Sequence, residues 1–327
     1  MELISLFLHL GLVFLGFGLL WWTGDLVVRY ALQVAHAFRV TTFFIGFIVL
    51  ALAATIPELA VAITSALRGV SEVSAGDIIG ANFIDVALVI GSTLLLAGKV
   101  LVGHRDSRKL VAMIGLSSLV LMVIFFIDVL TPVHGFVLIG IYLASTAWVW
   151  MRSRGDEIQD QGMAACEWDE DSFLTSKWGK VFKLLVSFGL VLLASALTVH
   201  GAVELALGFK MPLETVGSTL MALGTSLPEL VLCISALRRK QYSLALAPTL
   251  GTVLEQTTLI LGVLAVLSDK PVKLAGLRGA SMFMFLAFFI ISYGLFRFSQ
   301  VGRKTGVALV SLFFGYLAYQ FTVGGIL

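Results

Sequence analysis

Ala53-Ala54-Thr55-Ile56-Pro57-Glu58-Leu59 sets a proline and a carboxylate in the middle of a long apolar segment, and Gly224-Thr225-Ser226-Leu227-Pro228-Glu229-Leu230 does the same again. Both features are costly there. An ionisable side chain at bilayer depth is strongly disfavoured unless it faces a cavity or a partner. Proline removes one helical hydrogen bond and presses on the carbonyl four residues back. That carbonyl belongs to Ala53 in the first stretch and to Gly224 in the second. Each stretch therefore offers a carboxylate and a freed carbonyl oxygen at nearly one depth, the raw material of a cation site.

The surrounding chain is apolar throughout. Hydrophobic residues make up 59% of it and charged residues 13%, too few charges to solvate the surface of a water-soluble protein of 327 residues. Long apolar runs recur along the whole length and predict an all-α polytopic membrane protein. Ten spans are expected, at roughly 4–28, 41–67, 76–98, 110–130, 133–151, 180–207, 213–237, 244–267, 277–296 and 305–325. Glu2, with no basic residue before the first run, favours a first span over a cleaved signal peptide. Cys166, in a polar loop, and Cys233, in an apolar span, are not expected to pair.

One connection stands apart. It carries Asp156, Glu157, Asp160, Glu167, Asp169, Glu170 and Asp171 and divides the chain into a first repeat, 1–151, an acidic linker, 152–178, and a second repeat, 179–327. The linker lacks the spacing and glycine of an EF-hand loop and reads as a solvated tether. Of the 22 Lys and Arg residues, 17 fall on the side of the membrane that holds this linker and 5 on the other. That bias predicts a cytoplasmic linker and outward-facing termini.

Glu58 and Glu229 are 171 residues apart, and the same gap-free offset aligns Gly46 with Gly217, Ala51 with Ala222, Pro57 with Pro228, Gly80 with Gly251 and Gly91 with Gly262. Five spans separate the copies, so they are expected to cross the membrane in opposite directions. Two inverted-topology five-helix repeats with broken helices 2 and 7 point to a secondary transporter with a midplane site. One span beyond each glutamate the chain reads Gly76-Asp77-Ile78-Ile79-Gly80-Ala81-Asn82-Phe83-Ile84-Asp85 and Ala247-Pro248-Thr249-Leu250-Gly251-Thr252-Val253-Leu254-Glu255-Gln256, with Asp85 and Gln256 equivalent. Carboxylates, amides and carbonyls are the donors hard cations take, and the sequence has no Cys/His cluster for a soft metal.

Gly224 to Leu230 resembles the GTSxPE motif of the sodium/calcium exchanger branch of the calcium/cation antiporter superfamily, in its prokaryotic form with a short central loop. Gly76 to Asp85 is similar to that family's GNxxGSNxxN/D motif, and the likeness covers nearly the whole chain. The resemblance implies calcium held by Glu58, Glu229, Asp85 and Gln256 with the carbonyls of Ala54 and Thr225. It also implies flanking sodium positions built from the hydroxyls of Thr55, Ser226 and Thr252 and the carbonyls of Ala51 and Ala222. It further implies exchange of calcium for sodium by alternating access, with spans 1 and 6 sliding as a gating pair, no cofactor, and a complete site in each chain, so that a monomer suffices.

The chain departs from that pattern. The acid and amide corners are exchanged, Asp85 standing in the first repeat and Gln256 in the second, and Ala81 stands where the family has a serine. Proton/calcium antiport is the alternative, with Glu58, Asp85 and Glu229 as proton carriers. A cation channel is a remoter one, and an intramembrane enzyme or a nucleic-acid partner finds no support. Glu255 is expected on a different helix face from Gln256, reaching the pore or pairing with a basic group. Asp25 and Glu204 read as interfacial, Asp77 and Glu72 as solvated, and His9 and His200 as packed. Trp21, Trp22, Trp148 and Trp150 read as interfacial anchors in the lipid bilayer of the cell membrane.

Overall fold

The computed structural model describes residues 3–69, 71–101, 104–127, 129–154, 176–208, 226–274, 278–298 and 300–323. Helix α1 spans Leu3–Phe38. Helix α2 (Thr42–Phe44) runs through a π-helical stretch (Ile45–Leu50) into α3 (Ala51–Ala54), and α4 (Ile56–Leu67) follows the break at Thr55. Helix α5 (Ser71–Ile84) runs through a second π-helical stretch (Asp85–Ile90) into α6 (Gly91–Ala97). Strand β1 (Lys99–Leu101) precedes α7 (His104–Phe126), and β2 (Val129–Leu130) precedes α8 (Pro132–Arg154). Then come α9 (Lys177–Gly208), α10 (Leu227–Arg238) and α11 (Tyr242–Glu255), the last running through a third π-helical stretch (Gln256–Ile260) into α12 (Leu261–Leu267). The chain ends with β3 (Val272–Lys273), α13 (Arg278–Phe298), β4 (Gln300–Gly302) and α14 (Arg303–Val323).

Seven of these helices are long and apolar enough to cross a membrane, or eight if Thr42–Ala54 and Glu58–Leu67, bent by 43° from one another, form one broken span. The protein is thus a multi-pass helical membrane protein. The ten-span expectation exceeds that count: α10 has only 12 residues, and 213–225, the start of the seventh expected span, lie outside the described residues. So does most of the linker. The first helix runs past its expected end near 28, since residues 29–38 contain neither glycine nor proline; Arg39, in left-handed conformation at φ 53°, turns the chain just beyond it.

The 171-residue offset reappears in local structure. It carries α4 onto α10 and α5 onto α11, end for end, and the start of the second π-helical stretch onto that of the third. Thr55 before α4 has φ −86° and ψ 0°, and Ser226 before α10 has φ −88° and ψ −1°. A proline opens both helices, where its missing N–H costs nothing and its fixed φ favours the first turn. After them, Gly69 at φ 71° and Lys240 at φ 58° make equivalent left-handed turns.

The chain divides into two compact units, Met1–Thr42 with Ile158–Gln241, and Phe43–Glu157 with Tyr242–Leu327. Each draws on both halves of the sequence. In the first, α1 and α9 pack along their length. Glycines allow the close approach: a Cβ on Gly16 would strike Thr198, and one on Gly201 would stand 3.0 Å from the carbonyl oxygen of His9. Helix α10 packs on α1 where Gly24 faces Val231 and Ser235.

In the second unit, Ala62, Ala66, Ala75, Ile78, Val120, Ile124, Leu261 and Leu264 bury one apolar core shared by α4, α5, α7 and α12. Helix α5 packs on the third π-helical stretch and α11 on the second, so these equivalent segments run antiparallel. Two glycine contacts are related by the same offset. A Cβ on Gly306 would stand 2.7 Å from the carbonyl oxygen of Gly91, and one on Gly135 would stand 2.6 Å from that of Gly262. The short strands pair as β1 with β4 and β2 with β3, antiparallel in both cases.

Candidate cation site

The second unit brings most of the expected site residues onto three neighbouring elements. Helix α3 and the break carry Ala51, Ala54 and Thr55, all buried, with Glu58 in the first turn of α4. Asp85, buried, opens the second π-helical stretch; Gln256, buried, opens the third; and Thr252, buried, lies one turn earlier on α11. Such stretches interrupt the regular ladder and recur at functional sites. Nothing in the apolar sequence around Asp85 and Gln256 announces them.

The register between α3 and α11 is set by small residues. Gly251 lies against the carbonyl oxygen of Phe47 and against Ala51. One turn on, the Thr55 hydroxyl donates to Glu255 Oε2 at 3.0 Å. The residue pairs 51/251 and 55/255 are thus successive rungs of one parallel contact. From α8, Tyr142 Oη donates to Glu255 Oε1 at 3.1 Å.

Of the two expectations for Glu255, the structure favours the contact with the site side over pairing with a basic group. Glu255 meets no basic group among the described residues; it turns to Thr55, a member of the expected set. The signal available beforehand was its position four residues after Gly251, on the face that must approach a neighbour closely.

Glu58 is half-buried. Its Oε2 is shielded from solvent and has no hydrogen-bond partner among the described residues, and neither has Gln256 Oε1. Asp85 and Asp77 both lie within coulombic range of Glu58. The Asn82 amide donates to the Ile78 carbonyl at 2.8 Å rather than to Asp85, and its Oδ1 is unpaired among the described residues. Thr252 donates to the Thr249 carbonyl at 2.7 Å. Among the described residues no group of three or more His, Cys, Asp and Glu side chains could hold a metal ion.

In the first unit Ser226 and Glu229, both buried, open α10, and Leu230 N–H donates to the Ser226 carbonyl at 3.1 Å, the counterpart of Leu59 N–H to the Thr55 carbonyl at 2.9 Å. Thr225 and Ala222 lie outside the described residues. Asp25, expected at an interface, forms a two-point ion pair with Arg239, Nε to Oδ1 being 2.7 Å. Asp77 and Glu72 are exposed, as expected; His200 is also exposed, against the expectation of a packed histidine.

A multi-pass helical protein with carboxylates at the heads of proline-broken helices is an ion-transport protein of the membrane. The chain belongs to the sodium/calcium exchanger protein family, whose model matches residues 8–151 and 180–322. It is 28% identical to the putative antiporter CaxA of Alkalimonas amylolytica over 93% of this chain and 96% of that protein. It is 25% identical to the sodium/calcium exchanger MaX1 of Methanosarcina acetivorans, over 97% and 98% of the two chains. The solved structure of the sodium-calcium exchanger NCX_Mj has the same fold, with a TM-score of 0.77 and 22% identity over 96% of this chain and 99% of that one.

Proposed function

We propose that this protein exchanges calcium for sodium across the cell membrane by alternating access, on ten spans arranged as two inverted repeats. The observation that carries this reading is the doubled Pro-Glu helix start. Glu58 and Glu229, 171 residues apart, head helices of equal length behind breaks of the same backbone geometry. The opposed directions of α5 and α11 support inversion. So do the contacts of Gly91 with Gly306 and of Gly262 with Gly135: shifting one pair by the offset gives the other with its members exchanged, as a pseudo-two-fold axis requires. MaX1, similar over nearly its whole length, is named a sodium/calcium exchanger.

Calcium binds between Glu58, Asp85, Glu229 and Gln256 with the carbonyls of Ala54 and Thr225. Sodium takes flanking positions at Thr55, Ser226 and Thr252 and the carbonyls of Ala51 and Ala222. Three intramembrane carboxylates are too costly to leave ionised without counter-ions, so a departing ion must be replaced by an arriving one. Helices α1 and α9, packed together in a compact unit, are the gating pair. The termini face outward, the linker lies in the cytoplasm, and one chain suffices.

A proton-coupled exchange is favoured by Ala81, which brings no hydroxyl to a flanking position. Calcium-45 uptake into proteoliposomes under an imposed sodium gradient, and separately under an imposed pH gradient, decides the matter. Uptake driven by sodium is expected. Uptake driven by the pH gradient alone would overturn sodium coupling and make Glu58, Asp85 and Glu229 proton carriers.

A further inference from the structure

We propose that Glu255 is an additional cation ligand and that a monovalent cation of sodium's size is coordinated by its carboxylate together with the Thr55 hydroxyl, replacing the hydrogen bond the two share. The proposal rests on the exchanger reading and deepens it. Glu255 is 1% exposed and Thr55 is 1% exposed, so bulk water reaches neither. The carboxylate has two partners among the described residues, the hydroxyls of Thr55 and Tyr142, and both are neutral. A hydrogen bond to a carboxylate contributes about 1.5–3 kcal/mol, so two hydroxyls at best offset the several kcal/mol lost on burying the charge and leave no net gain. A cation bound with the carboxylate supplies that gain.

The surroundings fit a monovalent ion. One carboxylate among neutral oxygens balances one positive charge, and a divalent ion would leave a charge uncompensated at low dielectric. The oxygens at hand are all hard donors. Thr55 Oγ1, besides donating to Glu255, lies 3.3 Å from the Leu52 carbonyl oxygen, and Pro57 has no N–H to offer the carbonyl of Ala53. Next along the chain, Gln256 is 2% exposed and its Oε1 has no hydrogen-bond partner among the described residues, a buried acceptor still lacking a donor or an ion.

The site is also rigidly placed. The contact of Gly251 with Phe47 and Ala51, one turn away, fixes the height of Glu255 against Thr55. The break that follows Thr55 carries Glu58 three residues on. An ion at Glu255 thus sits on the same helix break as the carboxylate assigned to calcium, so occupancy at one position is coupled to the other through a single backbone turn.

The test is thermal unfolding of the purified full-length protein in choline chloride, sodium chloride and calcium chloride at matched ionic strength. A ligand that binds only the folded state raises the midpoint in proportion to its occupancy. Both sodium and calcium should stabilise the native sequence. In Glu255→Gln the sodium concentration giving half the rise should increase about tenfold or more, and the calcium concentration less than about threefold, a tenfold change being one decade in dissociation constant. Thr55→Val should show the same selective loss and Thr55→Ser should restore it; if Glu255→Gln does not fold, the test is carried by Glu255→Asp, which keeps the charge but draws the carboxylate back from Thr55 and should also raise the sodium requirement selectively. An unchanged sodium response in either Glu255→Gln or Thr55→Val overturns the proposal, and equal loss of both responses overturns the monovalent assignment. If the native protein responds to neither ion, the exchanger reading itself fails, and this proposal with it.

Discussion

Gly251 rests on the backbone of Phe47, so closely that a Cβ at that position would overlap the Phe47 carbonyl oxygen and press on Ala51 as well. The obstruction is backbone, which cannot rotate away. Alanine is the better helix former by about 1 kcal/mol, but overpacking costs about 1–3 kcal/mol. Gly251→Ala should therefore lower the unfolding midpoint and slow calcium flux by displacing Glu255 from Thr55. Its equivalent in the first copy, Gly80, would meet nothing within 4 Å, so Gly80→Ala should be neutral or slightly stabilising. Thermal unfolding of the two variants side by side checks both signs.

The glycine contacts of the second unit supply a test of internal symmetry. A Cβ on Gly306 would meet the Gly91 carbonyl, and a Cβ on Gly135 would meet the Gly262 carbonyl, at nearly the same separation. Gly306→Ala and Gly135→Ala should each destabilise, by about 1–3 kcal/mol and by amounts within twofold of each other. Gly115 and Gly140 have open space around them, so alanine there should cost little. A large difference between the two contact variants would show that the repeat in sequence is not matched by a repeat in packing.

Glu58→Gln and Glu229→Gln each remove one charge while keeping the shape of the side chain. Both should reduce sodium-driven calcium-45 uptake to the background of protein-free liposomes. Because an ionised carboxylate without a counter-ion is unfavourable at membrane depth, neither should lower the unfolding midpoint in the absence of calcium and sodium. Wild-type transport in either variant would remove that residue from the site.

Most of the helices and the doubled Pro-Glu start could be read directly from the chain, because each rests on a local rule: apolar runs of bilayer length, proline breaks, and a fixed offset between copies. The site was legible to the extent that ionisable residues in apolar spans announce themselves, as Glu58, Asp85 and Glu229 do. Which of its two expected partners Glu255 would meet was not legible, because its orientation depends on a neighbour two hundred residues away. Gly251, four residues earlier, marks the face that approaches a neighbour closely, but only the folded structure shows that this neighbour is α3 at Phe47 and Ala51. The π-helical stretches at Asp85 and Gln256 were hidden for a related reason: they arise from packing of backbones, not from a residue type that prefers them.

The two cysteines report orientation without any engineering. Cys166 lies in the acidic linker, which the distribution of Lys and Arg assigns to the cytoplasm. Cys233 is buried, 0% exposed, in the interior of α10. A membrane-impermeant maleimide should therefore label the protein in inside-out vesicles and leave it unlabelled in right-side-out vesicles. Cys166→Ser should abolish labelling in the inside-out preparation, since a buried thiol is inaccessible to the reagent. Labelling confined to right-side-out vesicles would reverse the topology. It would place the 17 basic residues of those loops outside, against the charge rule, and exchange the cytoplasmic and external ends of the transport path.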